Sequence, residues 1–156
     1  MRWEPDGREN PEFVLNRPGF RGAQILVTAE NFGCGSSREM GVWALQANGV
    51  RAVIAPSLGD IFFENCFKNG VLAVILPAPG VTHLRRQLNE RPGVTVTVDL
   101  EAEAVTGPDG FVHRFEIDPF RKEMLLRGQD EIALTRGSAS AIRAFEATHA
   151  DVPRAG

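Results

Sequence analysis

Three short, unbroken apolar runs constrain this chain more than any other feature: ILV at 25–27, AVIA at 52–55 and LAVIL at 72–76. A strand with one wet face alternates polar and apolar residues, whereas continuous runs suit strands covered on both faces, as in a parallel sheet. The stretches between them supply the crossovers. Residues 39–48 are apolar on most sides, read as a buried helix, and stop at Gly49. Residues 57–69 place Leu58, Ile61, Phe62 and Cys66 at helical spacing and stop at Gly70. Glycine suits the left-handed position that follows a helix. Ser57 and Asp60 offer a cap and a third-position acid for the second helix. The order β-α-β-α-β follows, with right-handed crossovers over a parallel sheet.

The second half changes texture. Residues 83–89 suit a short helix, and VTVTVDL at 94–100 alternates as a half-wet strand does. GPDG at 107–110 is a turn signal between extended segments, so a hairpin or meander is expected there. Asp118-Pro119 opens a helix through Leu126 that Gly128 stops. A last amphipathic helix, from about Ser138 to His149, is expected to turn Ile142 and Phe145 inward. The lead-in through Arg21 is rich in proline, glycine and charge, and is expected to be irregular, with Phe13, Val14 and Leu15 anchored on the core. These signals define an α/β chain with a parallel start, a β-hairpin and C-terminal helices. At 156 residues it fits one domain, 1–156.

Composition narrows the function. Seventeen basic against 20 acidic residues, with no basic run, argue against a nucleic-acid partner. The first residues resemble neither a signal nor a transit peptide, and no apolar stretch approaches the roughly 20 residues of a membrane helix. A cytoplasmic, soluble protein is expected, with no membrane partner. Cys34 and Cys66 lack CxxC spacing, and a cluster wants three or four thiolates, so this chain alone is expected to hold no metal or iron–sulfur group. His83, His113 and His149 have no ligand spacing and read as satisfied surface histidines.

The chemistry concentrates in NFGCGSSRE, residues 31–39, where the first strand hands over to a helix. In open α/β sheets, ligands bind beyond the C-terminal strand ends, where glycine-rich turns expose backbone amides. Gly33 and Gly35 permit such close approach. Two readings fit the residues that follow. Ser36-Ser37-Arg38-Glu39 matches S-x-x-E, a capping box that would be purely structural. Alternatively, Arg38 in the first turn opposes the helix dipole at a cost of up to about 1 kcal/mol, which an anionic ligand such as a small carboxylate would remove. Neither a P-loop nor GxGxxG is present, and no nucleophile triad can be built around Ser36 or Ser37. A serine among amide donors and an arginine can still serve as a base if its alkoxide is stabilised. Cys34 reads as a small packed residue.

NFGCGSSRE, the following WAL, IAPSLGDIFFENCFKNG, VDLEAEAV and RFEIDPFRKEMLLRGQDEIAL resemble, in this order and from about Arg2 to Glu146, the small-subunit family of the 3-isopropylmalate dehydratases in the aconitase superfamily. The resemblance implies the swivelling β/β/α domain and a hydro-lyase of leucine biosynthesis that interconverts 2- and 3-isopropylmalate by dehydration and rehydration. It implies a large-subunit partner carrying a [4Fe-4S] cluster, a small dicarboxylate substrate, Ser36 as the catalytic base and Arg38 as the carboxylate grip. Ser37 and Gly35 are expected at the substrate as hydrogen-bond donor or cap and as close-approach backbone. The family usually reads S-R-E-H followed by Ala-Pro; here Met40 and Gly41-Val42 stand in those places. Family members also carry an earlier segment with a D-T-D-x-I-I-P motif, a first strand and a specificity loop, absent before Met1, so a downstream start or a truncated form is expected. Without that segment and a partner, an apolar patch is expected to be exposed, and an isolated chain to self-associate. The alternatives are a related hydratase acting on citraconate, methylmalate or a similar diacid, and a non-catalytic anion-binding or interaction domain.

Overall fold

The computed structural model describes residues 2–35, 38–128 and 139–148. The three apolar runs form β1 (Ile25–Val27), β2 (Ala52–Ala55) and β3 (Leu72–Ile75), parallel and in chain order. Ile25 lies opposite Ala52, and Ala52 opposite Leu72. Only the middle strand is covered on both faces: all four β2 residues are buried, β1 is half-buried throughout, and β3 ends on an exposed Ile75. In a three-stranded sheet each outer strand keeps one open edge, so two-sided burial is complete only at the centre.

Side-chain alternation along β2 divides the core. Ala52 and Ile54 join Leu72, Val74, Val81, Leu84, Val105 and Phe115 on one side, while Val53 joins Val42, Val50, Phe62, Cys66 and Val71 on the other. The second group packs the helices α1 (Met40–Ala47) and α2 (Asp60–Lys68) against the sheet. The first brings in α3 (Ala78–Glu90) and a second sheet of β4 (Thr97–Asp99), β5 (Ala104–Thr106) and β6 (Val112–Arg114). Each fully buried valine, leucine or isoleucine in these clusters contributes about 1.5–3 kcal/mol.

The second sheet is antiparallel in the order β4-β5-β6, and the expected turn at GPDG closes its β5–β6 hairpin, with Gly107 N–H donating to Phe111 O at 2.9 Å. Helix α4 (Pro119–Arg127) has the expected bounds: Asp118 Oδ1 accepts from Arg121 N–H at 3.0 Å, Pro119 follows, and Gly128 stops it at φ +60°. Layers of helix, parallel sheet and antiparallel sheet give the expected α/β arrangement.

Four expectations need correction. Helix α1 buries only Val42, and its Met40 and Trp43 are exposed, because a helix of eight residues rests on the narrow sheet along one line. Helix α3 starts at Ala78, five residues before the expected His83, since Pro77 and Pro79 sit where a helix start tolerates proline. In helix α5 (Ala139–Thr148), Ile142 and Phe145 do not turn inward; no residue of it is buried. Val14, in a short 3-10 turn (Val14–Asn16), is exposed, and the turn is instead anchored by buried Asn16, whose Nδ2 donates to Arg2 O and Asn10 O, both at 2.8 Å. Ser138 and His149 lie outside the described residues.

Candidate functional site

The loop that leaves β1 is stitched to the loop that leaves β2. Asn31 takes a left-handed φ of +57°, and its N–H donates to Ser57 Oγ at 2.8 Å while that hydroxyl donates to Asn31 Oδ1 at 3.3 Å. Asparagine tolerates this conformation better than most residues, and the serine fixes it. Phe32 then makes a parallel bridge with Leu58: Phe32 N–H donates to Ser57 O and Gly59 N–H to Phe32 O at 2.9 Å. Ser57 therefore is not the cap expected of it. Helix α2 begins at Asp60 behind Gly59, and the Ser57 hydroxyl is spent on the neighbouring loop.

Two glycines allow this contact. Gly33 has φ +81°, and a Cβ there would lie 2.3 Å from Cγ of Phe62. A Cβ on Gly59 would lie 2.8 Å from Cα of Cys34. Phe62 also meets Phe32 edge to face, with centroids 5.3 Å apart. The start of the loop is thus clamped onto the first turn of α2. Gly35 differs: no described atom comes within 4 Å of where its Cβ would sit.

The far side of the loop is anchored elsewhere. Helix α1 begins at Met40 with Glu39 as its N-cap. The Glu39 carboxylate is held by Asn69, whose Nδ2 donates to Oε1 at 2.6 Å from the C-cap of α2. Arg38 is exposed and sits one residue before the N-cap, with its carbonyl accepting from Gly41 N–H at 3.4 Å. Ser36 and Ser37 lie outside the described residues, between these two anchors. Met40, in the position of the family histidine, is 60% exposed at the first turn of α1.

Surface grooves of about 570, 450 and 340 Å³ lie beside β1, on α3 and beside β3. None is lined by a described residue from Asn31 to Glu39. Cys34 is exposed, whereas Cys66 is buried in the core and its thiol is pushed up to about 12 by that burial. Among the described residues no group of three or more His, Cys, Asp or Glu side chains could hold a metal ion. No helix among them is long and apolar enough to cross a membrane.

Sequence reasoning missed the partners that hold the loop: Ser57, Phe62, Gly59 and Asn69. It also missed Arg121, which clamps α4 to α2 between the Phe63 and Phe67 rings at 5.1 and 5.2 Å with Glu64 Oε1 at 2.6 Å. The one available signal was Asn69-Gly70 at a helix end, which carried no hint of a partner thirty residues back. His83 is a satisfied surface histidine, with Nε2 2.8 Å from Asp109 Oδ2 and Nδ1 3.2 Å from an Arg86 guanidinium nitrogen.

Known proteins share this architecture. The family described as the aconitase C-terminal domain matches residues 2–79, and LeuD_N matches residues 82–119. The fold is that of an aconitase-type C-terminal domain. The 3-isopropylmalate dehydratase small subunit of Dinoroseobacter shibae is 54% identical over 147 residues, 94% of this chain and 73% of the relative. That of Parvibaculum lavamentivorans is 51% identical over 146 residues, with the same coverage. A crystal structure of 3-isopropylmalate dehydratase from Methanocaldococcus jannaschii superposes with a TM-score of 0.58 at 28% identity, covering 77% of this chain and 68% of that one. The chain belongs to the family of 3-isopropylmalate dehydratase small subunits.

Proposed function

We propose that this chain is the small half of a two-subunit hydro-lyase which interconverts 2-isopropylmalate and 3-isopropylmalate in leucine biosynthesis, in the cytoplasm. The observation that carries the reading is a loop of family sequence whose described residues are anchored at both flanks and line none of the three grooves beside β1, on α3 and beside β3. Such a loop completes a cavity only against a second surface, which the large subunit provides.

In this reading Arg38 takes one substrate carboxylate with its planar fork, in a paired contact stronger than a neutral hydrogen bond. Ser36, its negative oxygen stabilised by neighbouring amides and the guanidinium, removes the proton alpha to a carboxylate. The C–H electron pair becomes the double bond and the hydroxyl departs from the adjacent carbon; return of water to the other carbon completes the isomerisation. A [4Fe-4S] cluster on the large subunit supplies Lewis acidity toward that hydroxyl. Gly35 lets the substrate approach the main chain, and Ser37 donates a hydrogen bond. Glu39, the glutamate of the alternative capping box, accepts from Asn69 through Oε1.

Co-expression with the large subunit, followed by parallel assays on isopropylmalate and methylmalate, tests the proposal. Turnover of isopropylmalate with slower or no turnover of methylmalate is expected. Turnover of methylmalate alone would replace the leucine assignment by that of a related diacid hydratase.

A further inference from the structure

Both hydrogens and the oxygen of the Asn69 carboxamide are engaged. Nδ2 donates to Glu39 Oε1 at 2.6 Å and to Asn65 O at 2.9 Å, while Oδ1 accepts from Trp43 Nε1 at 3.0 Å. Its backbone carbonyl accepts from Gln46 Nε2 as well. A carboxylate in its place could not donate to Glu39 or to the helix carbonyl, and an alkyl group could do neither task. Asn69 thus ties the start and the middle of α1 to the end of α2.

The opposite end of α2 holds the other flank of the loop, because Gly59 packs against Cys34. Helix α2 has nine residues and is about 13 Å long. The loop therefore sets out from one end of this helix and returns to α1 at the other. Gly59 against Cys34 and Asn69 on Glu39 are the contacts nearest its middle on either side among the described residues.

We infer that Asn69 is a positioning residue for the reaction, fixing the backbone from which Arg38 departs and hence where the guanidinium meets a substrate carboxylate. The inference rests on the proposed function. It makes substrate affinity depend on a side chain that never touches substrate.

The test uses the complex reconstituted with the large subunit. Asn69→Asp sets a carboxylate against Glu39 and is expected to raise KM for isopropylmalate by about tenfold or more, with a smaller change in kcat. Glu39→Gln combined with Asn69→Asp reverses the donor and acceptor and is expected to return KM to within about threefold of wild type. If Asn69→Asp fails to fold, Glu39→Ala removes the same contact and is expected to raise KM likewise. An unchanged KM in the folded single variants, or a double variant no better than Asn69→Asp, overturns the inference alone. A wild-type complex inactive on isopropylmalate overturns the proposed function, and this inference with it.

Discussion

A Cβ placed on Gly33 would sit 2.3 Å from Cγ of Phe62, with the backbone already at φ +81°. The first turn of α2 and the turn of the site loop occupy each other's van der Waals envelope, and only the missing side chain allows it. Gly33→Ala is therefore expected to destabilise the protein by about 2–4 kcal/mol, the sum of a left-handed backbone penalty and an overpacked contact. Adding Phe62→Ala should relieve the overlap, so the double variant is less destabilised than the two single losses combined. Urea unfolding of the four proteins measures this, and strict additivity would contradict the contact.

The two cysteines should separate cleanly by reactivity. Cys34 is exposed on the loop, whereas Cys66 is wholly buried against Val42, Val53 and Phe62, with its thiol pushed up to about 12. The thiolate is the reactive form, and a raised value means that it is scarce at any pH below about 12. Titration of the folded chain with a thiol reagent at pH 8 is expected to modify Cys34 alone, and Cys66 only after denaturation. Equal rates at both would contradict the burial of α2 on the sheet.

Acid stability should report on the tie between α3 and the β5–β6 turn. His83 beside Asp109, with the Phe111 N–H and the Gln87 amide also on this carboxylate, holds the Asp109 carboxyl well below its usual 3.8. Arg86 faces the other side of the imidazole. A depressed carboxylate contributes stability that is complete above its unfolded value and fades as pH falls through the folded one. Between pH 5 and pH 2 the melting temperature of wild type should fall more steeply than that of Asp109→Asn. Parallel curves would show that the pair contributes nothing.

Much of the scaffold was legible because local chemistry determined it. The runs at 25–27, 52–55 and 72–76 hold the three strands, the last ending at Ile75, and the stop signals at Gly49, Gly70 and Gly128 all take positive φ. Asp118-Pro119 opens α4 as its residue types require. The bounds of α1 were legible to within one residue, whereas the contact that brings Asn69 to Glu39 was not, because only tertiary placement makes it. Ser57 misled for the same reason, since a hydroxyl suited to cap its own helix found Asn31 instead. The periodicity in α5 correctly marked a helix, but periodicity alone does not supply the surface that would cover Ile142 and Phe145. In the site, the residue types pointed to carboxylate chemistry, while the two anchors that shape the loop depend on contacts between distant segments.

The roles assigned to the loop meet their most direct test in Ser36→Ala within the complex of small and large subunits, with association followed by gel filtration alongside turnover of isopropylmalate. The account predicts an unchanged complex whose kcat falls by about 10²–10⁴-fold, the range for loss of a positioned base. A complex that assembles and turns over within about twofold of wild type would contradict it.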